Sequence, residues 1–132
     1  MMSEKVAIIA ANGGLFDAYK VFNIATAAAA SEKEVQIFFT FEGLNLIHKQ
    51  GMHHLEMPAG KEHFAEGFEK ANTPTIPELV EMAQELGVKF IACQMTMDVM
   101  GLTKEDFVNG IEVGGAVTFI EFAKNAAPTL TF

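Results

Sequence analysis

The sequence predicts an α/β protein with a mostly parallel central sheet of about five strands and helices layered on it. Strand-like and helix-like segments alternate along the chain, in the order β-α-β-α, a loop, then α-β-α-β-α-β. The main strand-like segments are continuously apolar, as strands covered on both faces are, where a half-exposed strand would alternate. The chain has 132 residues, half of them apolar. That is one domain's worth, 1–132, with enough apolar side chains for a sizeable core, and it excludes intrinsic disorder.

The elements follow in order. Lys5–Ala10 (KVAIIA), Glu34–Phe41 (EVQIFFTF) and Lys89–Cys93 (KFIAC) are the strong strands, each bounded by charge or turn residues. Gly110–Val113 and Thr129–Phe132 are weaker ones. Leu15–Ala30 is an alanine-rich helix whose Val21, Ala25, Ala28 and Ala29 share a face that packs closely on a sheet. Pro77–Leu86 is a second helix. Thr75 and Glu78 form a T-x-x-E capping box ahead of it, Leu79, Met82, Ala83 and Leu86 recur at helical spacing, and Gly87 ends it. Thr103–Asp106 reads as a helix start. Gly115–Asn125 is the last helix, with Val117, Ile120 and Phe122 apolar. Between the second strand and the second helix lies a long excursion, Gln50–Pro74, with a short helix over Glu62–Ala71; long excursions in compact domains are often functional.

Composition narrows the function. The net charge is −8, from 9 basic and 17 acidic residues, and every basic residue is a lysine. An acidic surface repels phosphate backbones, so no nucleic acid is expected as partner. Without arginine there is no guanidinium fork for carboxylate or phosphate. The one cysteine, Cys93, excludes an intramolecular disulfide, a dithiol oxidoreductase and a cysteine-rich zinc site. The start, Met1-Met2-Ser3-Glu4-Lys5, has no leader pattern, and no apolar run is long enough to span a bilayer, so a cytoplasmic protein without membrane contact is expected.

In open α/β sheets, sites gather at the carboxyl ends of strands. Three loops converge there: Ala11–Gly14, Thr40–Gly43 and Cys93–Gly101. Cys93 is the sharpest feature. At the end of a buried strand and the start of a helical segment, exposed N–H groups favour its thiolate; the alternative is a buried cysteine packed as a small hydrophobe. Asn12, Gly13 and Gly14 form a turn that either binds an anion through backbone N–H groups or simply joins strand to helix. His48, His53, His54 and His63 match no zinc spacing and read as solvated loop histidines, so no metal or other cofactor is expected. Met95, Met97 and Met100 read as packing, with a partner surface second.

The residues also carry a resemblance. Val6–Gly13, Phe38–Leu44, the block Ala92-Cys93-Gln94-Met95-Thr96-Met97-Asp98-Val99-Met100-Gly101-Leu102, and Val113–Ala116 together resemble the DsrE/DsrF-like sulfur-relay family, in the branch sometimes labelled peroxiredoxin-like. The cysteine block is the most specific, and it departs from the family pattern where Thr96 stands in place of a frequent serine. The resemblance implies a three-layer α/β/α sandwich, a homo-oligomer often built from trimers, and Cys93 as the sulfur-carrying residue. The expected function is a sulfur relay in which Cys93 takes sulfane sulfur as a persulfide and hands it to a partner thiol. The expected pocket is formed by Asn12, Gly13, Gly14, Glu42, Gly43, Gln94 and Thr96. The expected partner is a small sulfur-donor or sulfur-acceptor protein with a basic face, complementary to the −8 charge. The rival readings are a small-ligand or nucleotide binding module with Cys93 structural, and a metal-binding protein using the histidines with Cys93.

Overall fold

The computed structural model describes residues 4–132; Met1–Ser3 lie outside it. Strands β1 (Lys5–Ala10), β2 (Glu34–Phe39), β3 (Lys89–Cys93), β4 (Glu112–Gly114) and β5 (Ala126–Thr131) form one sheet in the order β4-β3-β2-β1-β5, and every pairing is parallel. Helices α1 (Leu15–Ala30), α2 (Phe64–Lys70), α3 (Ile76–Glu85), α4 (Gln94–Met100) and α5 (Ala116–Ala123) complete the layers.

The sheet has two buried faces. On one, Val6, Ile8, Ala10, Val35, Ile37, Phe39 and Phe90 pack beneath α1 and α3. Alanines Ala18 and Ala25 let α1 sit close, and Phe22, fully buried, meets Phe39 and Phe90 with ring centroids 6.2 and 6.0 Å away. Burying such a ring contributes about 1.5–3 kcal/mol. On the other face Ala7, Phe38, Ile91 and Cys93 pack beneath Phe119 and Phe122 of α5. The result is the α/β/α sandwich the sequence predicts.

The first strand, the first helix and the Lys89–Cys93 strand have the expected bounds, and the Thr75–Glu78 capping box is present, with Glu78 N donating to Thr75 Oγ1 at 3.3 Å and Thr75 N to Glu78 Oε1 at 3.1 Å. Other expectations need correction. The second strand stops at Phe39, because Thr40 N donates to Ala10 O and Phe41 then takes a left-handed φ of 49° into a 3-10 turn, Phe41–Ile47. Helix α3 buries Ile76, Leu79, Val80 and Ala83, while Met82 and Leu86 face outward. Thr103–Asp106 is a single capped 3-10 turn. In α5, Phe119 and Phe122 face the sheet, whereas Val117 and Ile120 are 78% and 60% exposed. The last two strands are shifted: Glu112–Gly114 starts two residues later and ends one later than expected, and Ala126–Thr131 starts three residues earlier and ends one earlier.

The excursion is held from outside. Helix α2 buries no residue fully, yet Phe68 stacks on Tyr19 at 4.8 Å and Phe64 meets Phe16 edge-on at 5.6 Å, both partners on the outer face of α1. Tyr19 Oη also donates to Pro74 O at 2.9 Å, closing the excursion's end onto α1.

Candidate functional site

Cys93 ends β3 and is itself the N-cap of α4, so strand passes to helix with no intervening loop. An N-cap side chain ordinarily accepts from the free N–H groups of the first helical turn. The Cys93 side chain makes no such cap bond, but the backbone N–H groups of Met95 and Thr96 favour its thiolate form. The hydroxyls of Thr96 and Thr40 act in the same direction. Only 6% of Cys93 is exposed. That burial is the largest single influence and pushes the thiol up; the N–H and hydroxyl donors together outweigh it and leave the thiol below its ordinary 9.0. No charged side chain contributes.

Thr96 is the keystone. It is fully buried, and its Oγ1 accepts from Phe41 N at 3.2 Å and lies 3.3 Å from Thr40 Oγ1. The chain leaving β2 is thereby fastened to the first turn of α4, directly after Cys93. Thr40 and Phe41 belong to the Thr40–Gly43 loop that the sequence brings to this end of the sheet, but they are not among the expected pocket residues. The signal that marks them is structural: parallel pairing of β2 with β3 places Phe39 opposite Ala92, so the residue after Phe39 lies beside Cys93.

The other expected residues take different roles. Gln94 is exposed and donates to Asp98 Oδ1 at 2.8 Å. Gly14 is the N-cap of α1, and its N–H donates to Asp17 Oδ2 at 3.1 Å. Gly43 is spent on packing: a Cβ there would lie 1.9 Å from Ala10 O. Gly13 likewise admits the Glu42 carbonyl, 2.4 Å from where a Cβ would stand. Asn12 is exposed on the same turn.

Two cavities, of about 470 and 490 Å³, open beside this end of the sheet and share Gly13, Glu42 and Asn45. The first is mainly apolar, with Phe41, Leu44, Met100 and Leu102 in its wall and His48 at its edge. The second carries Asp17, Glu56 and His54. No lysine and no Cys93 is among the described residues lining either one.

His48 Nδ1 accepts from Gln50 N at 3.1 Å and Gly51 N at 3.0 Å, which occupies one of its two ligating nitrogens. Among the described residues no three His, Cys, Asp or Glu side chains are grouped to hold a metal ion, and no helix is long and apolar enough to cross a membrane.

With this geometry in view, the chain compares closely with known proteins. It is 37% identical to the sulfur carrier protein DsrE2 of Allochromatium vinosum, across 93% of this chain and 94% of that one. It is 31% identical to the uncharacterized protein YrkE of Bacillus subtilis, across 97% and 96%. Among solved structures it matches the ychN protein from E. coli with a TM-score of 0.72 at 16% identity, covering 98% of this chain and 99% of that one. The protein MTH1491 from Methanobacterium thermoautotrophicum matches with a TM-score of 0.70 at 13% identity, covering 98% and 100%; these two likenesses are of fold. The model of the DsrE/DsrF/DrsH-like family matches residues 2–68 and 57–131, nearly the whole length between them, and the chain belongs to that family.

Proposed function

We propose that this protein is a cytoplasmic sulfur carrier that holds sulfane sulfur as a persulfide on Cys93 and passes it to a partner thiol. The observation that carries the reading is the place of Cys93, the buried N-cap at the junction of β3 and α4, where the donors of Met95, Thr96 and Thr40 lower its thiol with no charged group among the causes. Its relative DsrE2 is named a sulfur carrier protein.

The chemistry needs one thiolate and no redox change. Cys93 Sγ attacks the terminal sulfur of a donor persulfide, R–S–SH. A new S–S bond forms at Cys93, the donor's S–S bond breaks, and R–S⁻ leaves with its electron pair. In the second step an acceptor thiolate attacks the same sulfur and the Cys93 thiolate leaves. A thiol with a lowered pKa is the better leaving group in that step. A lone cysteine suits this use, because it cannot resolve its own persulfide into an internal disulfide.

The partners follow from the surface. The −8 charge favours a donor or acceptor protein with a basic face. Met95 and Val99 on α4, 58% and 73% exposed, and Val117 and Ile120 on α5 are apolar faces that a second copy of the chain covers, consistent with a homo-oligomer.

Intact-mass measurement after exposure to inorganic polysulfide tests the function. The expected result is the mass of one added sulfur atom, lost on reduction and absent in Cys93→Ser. No gain, or the same gain in Cys93→Ser, overturns the reading.

A second reading is favoured by the apolar cavity walled by Phe41, Leu44 and Met100, which Cys93 does not line. There the protein is a small-ligand binding module and the cysteine is structural. Alkylation separates the two: a Cys93 that reacts no faster at neutral pH than a free peptide cysteine supports the binding module.

A further inference from the structure

We propose that the apolar cavity walled by Phe41, Leu44, Met100 and Leu102 binds a neutral aromatic molecule bearing a carbonyl oxygen, which accepts from the Nε2–H of His48. The proposal rests on the reading of that cavity as a ligand site and deepens it by naming the ligand's chemistry. It stands apart from what Cys93 does.

The donor is fixed by the hydrogen bonds behind it. His48 Nδ1 accepts from the N–H groups of Gln50 and Gly51, at 3.1 and 3.0 Å, so it carries no proton and the ring hydrogen sits on Nε2. The ring is steadied by Phe107, which is buried and meets it edge-on at 5.9 Å. Nε2 has no hydrogen-bond partner among the described residues. His48 is half-buried, and no such residue among them holds a side-chain nitrogen or oxygen that is both sealed from solvent and unpartnered. Nε2–H is therefore open to solvent, on a residue that lines this cavity and not the acidic one beside it. Gly51 seats a second polar group of the wall: Asn45 Oδ1 stands 1.9 Å from where a Gly51 Cβ would lie.

The wall is built for a ring. Phe41 holds a left-handed φ of 49°, which bulky side chains adopt only at a cost, and its N–H is fastened to Thr96 Oγ1. That backbone leaves the Phe41 ring 50% exposed on the cavity, with Met100 44% exposed beside it. Strain that leaves two large apolar side chains half in water gains nothing from packing; it presents a face on which an aromatic ring stacks and meets a thioether. A volume of about 470 Å³ suits a ligand of one or two rings.

Charge decides the rest. Glu42 stands at the rim, Asp17 and Glu56 line the adjoining cavity, and no lysine among the described residues lines either one. The N–H groups at the head of α1 are already taken by the protein's own oxygens, Gly14 N by Asp17 Oδ2 at 3.1 Å and Leu15 N by Glu56 O at 2.8 Å. An anion finds no donor there and three carboxylates. An ammonium would meet the Nε2 hydrogen, would be stripped of water by the apolar wall, and would gain only Glu42, which is exposed and solvated.

The test is an amide chemical-shift titration of the full chain with acetophenone, and with benzoate and benzylamine as charged probes of similar size. Acetophenone is expected to shift the amides of Leu44, His48 and Met100 along a saturating curve, and both charged probes to bind at least about tenfold more weakly. His48→Asn keeps an acceptor for Gln50 N and Gly51 N but has no Nε2–H, and it is expected to weaken acetophenone about fivefold. The dispersion of the same spectra confirms that the variant is folded; where it is not, His48→Gln replaces it. A charged probe that binds as well as acetophenone overturns the ligand class and leaves the cavity a ligand site. A folded His48 variant with native affinity overturns the role of Nε2–H. Failure of all three probes to move those amides overturns the cavity as a ligand site altogether. A native chain that binds acetophenone but takes up no sulfur from polysulfide overturns the sulfur-carrier reading and leaves this proposal standing.

Discussion

The backbone N–H of Phe41 donates to the buried hydroxyl of Thr96 across 55 residues of chain, at 3.2 Å. Through that one bond the turn leaving β2 and the first turn of α4, directly after Cys93, hold a common position.

Thr96→Val therefore has two consequences. It leaves the Phe41 N–H without its partner, a loss of about 1–3 kcal/mol in a urea titration. It also withdraws a hydroxyl donor from the sulfur, so Cys93 alkylates more slowly near neutral pH. Thr96→Ser, with the hydroxyl kept, restores the alkylation rate.

Folding stability depends on pH through the same sulfur. The folded-state pKa of Cys93 is lowered from 9.0 by hydrogen bonding that exceeds the opposing effect of burial. A depressed pKa stabilises the fold fully above the unfolded value and loses that contribution as pH falls through the folded value. The urea midpoint of the native chain is expected to rise between the lowered value and 9.0, relative to Cys93→Ser measured in parallel. Parallel curves for the two proteins across that window contradict the expectation.

Glycines at two positions separate packing from backbone freedom. Gly43→Ala places a Cβ 1.9 Å from Ala10 O and forces the β1 and β2 turns apart, at a cost of about 3 kcal/mol. Gly60 has open space around it and a φ of +83°, so Gly60→Ala costs only the left-handed backbone, about 1–2 kcal/mol. Denaturant midpoints compare the two directly.

Val117, 78% exposed on α5, tests the assembly. Val117→Asp is expected to change stability of the folded chain by less than about 0.5 kcal/mol. Sedimentation velocity is expected to show a smaller species than the native protein. An unchanged sedimentation coefficient removes α5 from the interface.

Much of the fold was legible because local signals and tertiary packing agree. The continuous apolarity of Lys5–Ala10 and Lys89–Cys93 means burial on both faces, and that is where they lie. The Thr75–Glu78 box caps its helix by side chains three residues apart, so its meaning is local. Helix α5 shows the limit. In AVTFIEFA nearly every position is apolar, and the periodicity cannot tell Phe119 and Phe122, which meet the sheet, from Val117 and Ile120, which do not. Of the site, Cys93 and Thr96 were legible because they stand in one short block. Thr40 was legible only as part of the Thr40–Gly43 loop, since its closeness to Thr96 depends on a strand pairing that brings together residues 56 apart.

The aromatic clamp on α1 has a consequence for how the molecule comes apart. Phe64 and Phe68 hold α2 against Phe16 and Tyr19, but no residue of α2 is itself fully buried. The free energy of opening this segment is set by a few ring contacts and not by the sheet. Amides of Phe64–Lys70 are therefore expected to exchange with deuterium long before those of β1 and β2, and limited proteolysis to nick the chain near Gly60 while the sulfur-bearing core stays folded.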